Sequence, residues 1–170
     1  MDDAGQIAQT TDDLEATEAT EATEATGGTG PGHREVSLTR TALGRYEATN
    51  ARGGTLPIGS GEDGDFTPVE LLLAALAGCS SVDVDHITSR RAEPEAFDVV
   101  AQGVKTSTPQ DGNHLTDVEL TFRLRFPAGE AGDRAREAYP RSVAQSRDRL
   151  CTVSRTVQRG TPVEMTAEDA

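Results

Sequence analysis

The nine residues from Val69 to Ala77 contain one polar side chain, Glu70. A helix at a protein surface shows polar residues every few positions, so a run apolar on all sides predicts a helix covered on most of its circumference. Thr67 is a good N-cap, Pro68 falls where a missing N–H costs nothing, and Glu70 stands three residues after the cap, completing a capping-box pattern. The stretch from Phe66 to Ile87 therefore reads as one long buried helix with Cys79 near its middle. Ala74, Ala75, Ala77 and Gly78 are small and permit the close approach of a second helix.

Elsewhere the pattern has a period of two. Val36 and Leu38, then Tyr46 and Ala48, alternate on either side of Leu43-Gly44, as in two strands joined by a turn, and a short third strand is expected over Thr55 to Ile58. Gly59, Gly61 and Gly64 with Glu62, Asp63 and Asp65 form a loop before the helix cap. Beyond the helix, Arg90 to Pro94 ends it and Phe97 to Ala101 begins a strand. Leu115, Val118, Leu120, Phe122, Leu124 and Phe126 alternate with Glu119, Thr121, Arg123 and Arg125, which predicts a half-buried antiparallel strand. Glu130 to Gln145 is helical in composition, with Pro140 expected to kink or divide it. A further helical turn is expected to start at Ser146 and run through Cys151 to Val157, with Thr161 to Met165 as a closing strand. Strands in runs rather than alternating with helices define an α+β fold with an antiparallel sheet.

Residues 1–32 follow neither pattern. They hold eight acids, no base and four consecutive Glu-Ala-Thr triplets from Glu15 to Thr26, followed by a Gly-rich stretch. Such a segment has too little apolar surface to bury and is expected to be a disordered acidic tail and linker, either a solvated arm without a specific role or a solubilising, partner-binding one. The remaining 33–170 suffices for one domain with a real core. The whole chain carries 29 acids against 16 bases, a net charge of −13, and Lys105 is its only lysine. With 4 % aromatic residues and no tryptophan, this composition fits a protein kept soluble in concentrated salt, where surface charge is screened. It argues against nucleic-acid binding, which needs a clustered basic face. The strongly apolar run is about half the ~20 residues a membrane span requires, so no membrane partner is expected. No positively charged start leads into an apolar segment, and a cytoplasmic location follows as the expectation.

In a reducing compartment Cys79 and Cys151 are either reactive thiols or small buried hydrophobes. The apolar run ends where Cys79 appears, since Ser80, Ser81, Asp83 and Asp85 follow, and a cysteine at the edge of a core helix can face a pocket. His33, His86 and His114 make no metal-ligand spacing with the thiols, so no metal and no other cofactor is expected. A thiolate in mid-helix gains little from the helix N-terminus and needs a cation, here an arginine, itself held by a carboxylate. Glu70 is the attractive holder, but nine residues place it ~13.5 Å along the axis from its own Cys79. Two such helices packed antiparallel about a two-fold axis would bring Glu70 of one chain toward Cys79 of the other. The alternative is that Glu70 only completes the capping box.

The stretch Thr67-Pro68-Val69-Glu70-Leu71-Leu72-Leu73-Ala74-Ala75-Leu76-Ala77-Gly78-Cys79 resembles the P-x-E-L-L-L-A-A-L-A-G-C signature of the OsmC/Ohr family, the osmotically induced and organic-hydroperoxide-resistance proteins. Arg141-Ser142-Val143 and Ser146-Arg147-Asp148-Arg149-Leu150-Cys151-Thr152-Val153 resemble the second cysteine block of that family, and the similarity covers about residues 34–166. Together with the composition it points to a haloarchaeal type of member. The resemblance implies an intertwined homodimer and a thiol peroxidase in which Cys79 attacks an organic hydroperoxide and becomes a sulfenic acid. Cys151 would resolve it as a disulfide, later reduced by a dithiol. Glu70 matches the glutamate that positions the catalytic arginine of the family. That arginine is Arg45 or Arg52, with Arg45 preferred because it begins a strand while Arg52 sits on a Gly-rich loop. Leu150 replaces the usual aromatic, and Ser80-Ser81-Val82-Asp83 is nearer a less characterised branch of the family. A second reading therefore stands beside the enzyme: a non-catalytic member that responds to redox state or binds small apolar molecules.

Overall fold

A computed structural model describes residues 31–169. The acidic segment expected over residues 1–32 lies outside the described residues except for its last two. From Val36 onward the order is three strands, a long helix, two strands and two further helices.

Strands β1 (Val36–Ala42), β2 (Arg45–Asn50) and β3 (Thr55–Ile58) form an antiparallel sheet in the order β1-β2-β3. Gly44 at φ 70° closes the first turn, a conformation that costs glycine nothing. Asn50 closes the second, its side-chain oxygen accepting from the N–H groups of Arg52 at 2.9 Å and Gly54 at 3.1 Å. The register places Val36, Leu38, Tyr46, Ala48, Leu56 and Ile58 on one face. Only Ala48 and Ile58 of that apolar face are buried, while Val36 and Leu38 are more than half exposed. The helices of the same chain touch this sheet only marginally.

Helix α1 spans Pro68–Thr88, and Thr67 and Glu70 close a complete capping box at its start. The expectation that this helix is covered on most of its circumference is not met within one chain. Its buried residues, Leu76, Ser80, Val84 and Thr88, recur every four positions and form a single stripe. Leu72 and Val82 are exposed, as are Ala74, Ala75 and Gly78 on the small-residue side. The chain's own cover comes from the strand that follows α1 and from the helical segments of the C-terminal third. With 21 residues, of which an 18-residue stretch has a mean hydropathy of 1.3, α1 is long and apolar enough to cross a membrane, more than its apolar run alone implied. It also carries Asp83, Asp85 and His86 in its second half, and Asp83 is bonded within the protein.

Strands β4 (Ala96–Thr108) and β5 (Gly112–Arg125) form a second antiparallel pair. Helix α2 (Glu130–Gln145) is fastened to β5 by Tyr139, whose hydroxyl donates to the Phe122 carbonyl at 2.9 Å, and by an edge-on contact between Phe126 and the Tyr139 ring. Pro140 does not divide α2, which runs through it as one helix. Packing of Ala135 and Ser142, both buried, outweighs the one backbone bond that proline removes. Gly132 is required: a Cβ there would stand 1.8 Å from the Pro127 carbonyl oxygen.

Two corrections concern the C-terminal third. The helical turn expected from Ser146 through Cys151 to Val157 is two elements, a π-helical turn over Ser146–Leu150 and helix α3 over Thr152–Gln158, with Cys151 between them as the N-cap of α3. The closing strand expected over Thr161 to Met165 is absent. The segment carries the alternation, with Val163 and Met165 exposed, but no strand of the described residues pairs with it. Alternation makes a strand only where a sheet edge supplies the hydrogen bonds.

Candidate active site

Cys79 lies one turn beyond Leu76 and one turn before Asp83 on α1, half-buried at the border of the stripe. The break at Cys151 turns the chain so that α3 begins against this point of α1. Cys151 is fully buried, and its Sγ accepts the N–H of Ser154 at 3.3 Å as a thiol N-cap. Cys151 and the backbone N–H groups of Thr152 and Val153 stand near enough to Cys79 to act on the ionisation of its thiol. The two cysteines, 72 residues apart in sequence, thus form one site at the first turn of α3.

The electrostatics of this site oppose each other. Burial pushes the Cys79 thiol above its ordinary pKa, and the neighbouring Cys151 adds to the rise. The N–H groups of Val153 and Thr152 pull it down, but less strongly. No guanidinium among the described residues acts on this thiol. A single chain therefore holds Cys79 mainly as the protonated thiol, the unreactive form.

Glu70 and Arg45 do not reach the thiols. The Glu70 carboxylate accepts from the Thr67 N–H and hydroxyl, both at 2.8 Å, and these two bonds hold its pKa below the usual carboxylate value. Arg45, at the start of β2, is held by Asp63 at 2.6 Å and by Asp65 at 3.7 Å, both on the loop before α1. Asp63, Asp65 and Glu70 line one small cleft, so the acids that hold Arg45 and the acid that caps α1 are neighbours. Arg52 lies on the β2–β3 turn and forms no ion pair among the described residues.

Three features of the site were not read from the sequence. The Thr152 and Val153 N–H groups face Cys79 only because the chain breaks at Cys151. Asp63 carried a signal, an acid in a Gly-rich loop, but no indication that Arg45 was its partner. Ser146, expected to begin a helix, instead donates to Asp83 at 2.9 Å. An apolar cleft of about 360 Å³, lined by neither thiol, lies between Leu76 and Ser80 of α1, Leu120 and Phe122 of β5, and Ser154 and Val157 of α3.

An antiparallel α+β scaffold whose central helix carries one thiol against a second at a helix cap defines a two-cysteine protein of a recognisable kind. The family model described as OsmC-like protein matches residues 61–166, and the chain belongs to that family. An uncharacterised protein of Mycobacterium tuberculosis is 31 % identical over 136 residues, which span 79 % of this chain and 96 % of the relative. Among solved structures, an OsmC-like protein from Mycoplasma pneumoniae superposes with a TM-score of 0.59 at 15 % identity, over 76 % of this chain and 89 % of the other. An organic hydroperoxide resistance protein OsmC from Legionella pneumophila gives 0.51 at 14 % identity, over 76 % and 91 %. These two similarities are of fold.

Proposed function

We propose that the protein is a thiol-dependent peroxidase that reduces organic hydroperoxides, and hydrogen peroxide less well, in the cytoplasm. The observation that supports this reading is that two free thiols 72 residues apart in sequence, Cys79 and Cys151, stand near enough for one to act on the ionisation of the other. The Cys79 thiolate attacks the terminal oxygen of the hydroperoxide, the O–O bond breaks, and the alcohol leaves with a proton. The Cys79 sulfenic acid is then attacked by the Cys151 thiol, the S–O bond breaks, water leaves, and a disulfide remains. A dithiol restores both thiols by exchange. The hydroperoxide-resistance description of the Legionella neighbour accords with this chemistry.

The working unit in this reading is a homodimer. Three observations support it: the uncovered small-residue side of α1, the uncovered apolar face of the β1-β2-β3 sheet, and a Cys79 thiol that burial keeps protonated. A second chain would cover both faces and bring an arginine, Arg45 by preference, to the thiol, with Glu70, Asp63 or Asp65 holding it. The acidic, lysine-poor composition adds that this unit works in concentrated salt.

Turnover of cumene hydroperoxide with dithiothreitol tests the assignment. Cys79→Ser should lose it altogether, and Cys151→Ser should accumulate a sulfenic acid that dimedone traps. Equal rates for the wild type and Cys79→Ser would remove the peroxidase. The apolar cleft then favours the second reading, a binder of small apolar molecules without turnover.

A further inference from the structure

Ser146 is 1 % exposed, and all three of its polar groups are engaged. Its N–H donates to the carbonyls of Ser142 and Val143, so it closes α2. Its carbonyl accepts the N–H of Cys151 at 3.0 Å, the bond that closes the π-helical turn. Its hydroxyl donates to the Asp83 carboxylate at 2.9 Å, across 63 residues of sequence. The backbone position of Cys151 is therefore fixed relative to Ser146, and Ser146 is fixed to α1 by Asp83. Asp83 follows Cys79 by four residues, so the two side chains share one face of α1 about 6 Å apart along the axis. The same turn of α1 thus carries Cys79 and the anchor of the segment that carries Cys151.

We propose that Asp83, through Ser146, is the positioning residue that holds Cys151 against Cys79 and sets how fast and how firmly their disulfide closes. A carboxylate suits this role. It accepts a hydroxyl proton more strongly than a neutral oxygen does, and in a half-buried place water competes little for the bond. The charged groups of the π-helical turn are exposed: Arg147 pairs with its neighbour Asp148, and among the described residues no ion pair duplicates the tether. With the tether intact, Cys151 meets the Cys79 sulfenic acid as an intramolecular, oriented thiol. With it cut, the π-helical turn has no other side-chain hydrogen bond to α1 among the described residues, and the effective concentration of Cys151 at Cys79 falls.

The kinetic part rests on the peroxidase reading, which supplies the hydroperoxide as oxidant; the equilibrium part does not. The variants are Asp83→Ala, Ser146→Ala and the conservative Asp83→Asn, each checked for fold by circular dichroism and melting. After one equivalent of cumene hydroperoxide, the dimedone-reactive sulfenic acid of Asp83→Ala and Ser146→Ala should persist about tenfold longer than in the wild type. Asp83→Asn, which keeps an acceptor oxygen, should restore most of the closure rate. In dithiothreitol redox buffers, without any peroxide, the Cys79–Cys151 disulfide of the two alanine variants should be about tenfold easier to reduce, roughly 30 mV for this two-electron couple. Sulfenic acid lifetimes and potentials equal to wild type in folded alanine variants would overturn the proposal. If the wild type ignores the hydroperoxide yet the potentials shift as stated, the peroxidase reading fails and the tether stands.

Discussion

Cys151, where helix α3 begins, stands near enough to Cys79 to raise the pKa of its thiol, and the Thr152 and Val153 N–H groups act on the same sulfur in the opposite sense. A helix N-terminus lowers the cost of a negative charge, but here burial wins and the Cys79 pKa is raised. The site of one chain is set up for disulfide closure more than for thiolate formation. In the proposed homodimer, an arginine brought by the second chain would reverse that balance.

That reversal has a direct readout. If the proposed dimer forms, the rate of Cys79 alkylation by iodoacetamide, followed against pH in a Cys151→Ser background, should show a midpoint below the ordinary thiol range. In Arg45→Met the midpoint should move above it, because burial then acts uncompensated. Arg52→Met should leave the midpoint in place. The opposite pattern would make Arg52 the cation.

The cap of α1 gives a prediction about acid. Hydrogen bonds from Thr67 lower the Glu70 pKa, so ionised Glu70 favours the folded state. That contribution is complete above the ordinary carboxyl pKa and disappears as pH falls through the lowered folded value. Glu70→Gln should therefore melt below the wild type at pH 7, and the gap should close toward pH 3. Thr67→Ala should cost about 1 kcal/mol of stability by urea denaturation at pH 7. A gap independent of pH would show that the ionised carboxylate does not support the cap.

Gly132 tests the packing of α2. A methyl group there collides with the Pro127 carbonyl, a backbone atom that cannot rotate away. Gly132→Ala should lose roughly 2–3 kcal/mol, read from the urea midpoint, although alanine is the better helix former. A neutral or stabilising result would mean that the turn from Pro127 to Gly129 yields.

What the sequence made legible was local. The Thr67 and Glu70 box lies within four residues, and the strand Thr55–Ile58 is bounded by turn residues on both sides. The strand expected from Leu115 to Phe126 follows from the alternation that is regular from Val118 on, and β5 extends it back to Gly112. What stayed hidden depends on distant partners. The π-helical turn that makes Cys151 an N-cap is held by Asp83, 63 residues before Ser146, and no periodicity encodes such a bond. Proline at position 140 argued for a break, yet the buried face of α2 overrides one missing donor. Val163 and Met165 carry the alternation of a strand without an edge to join. The spacing from Glu70 to Cys79 correctly excluded a contact within one helix, but nothing in it marked Asp63 and Asp65 as the residues that hold Arg45.

In the proposed function Cys79 and Cys151 act as one peroxide-consuming pair. This pairing is tested most directly by counting free thiols in the reduced protein at high salt before and after one equivalent of cumene hydroperoxide, with hydrogen peroxide in parallel. Both thiols should disappear rapidly and together, faster with the organic peroxide, and return on addition of a dithiol. Survival of both thiols through the same exposure would contradict it.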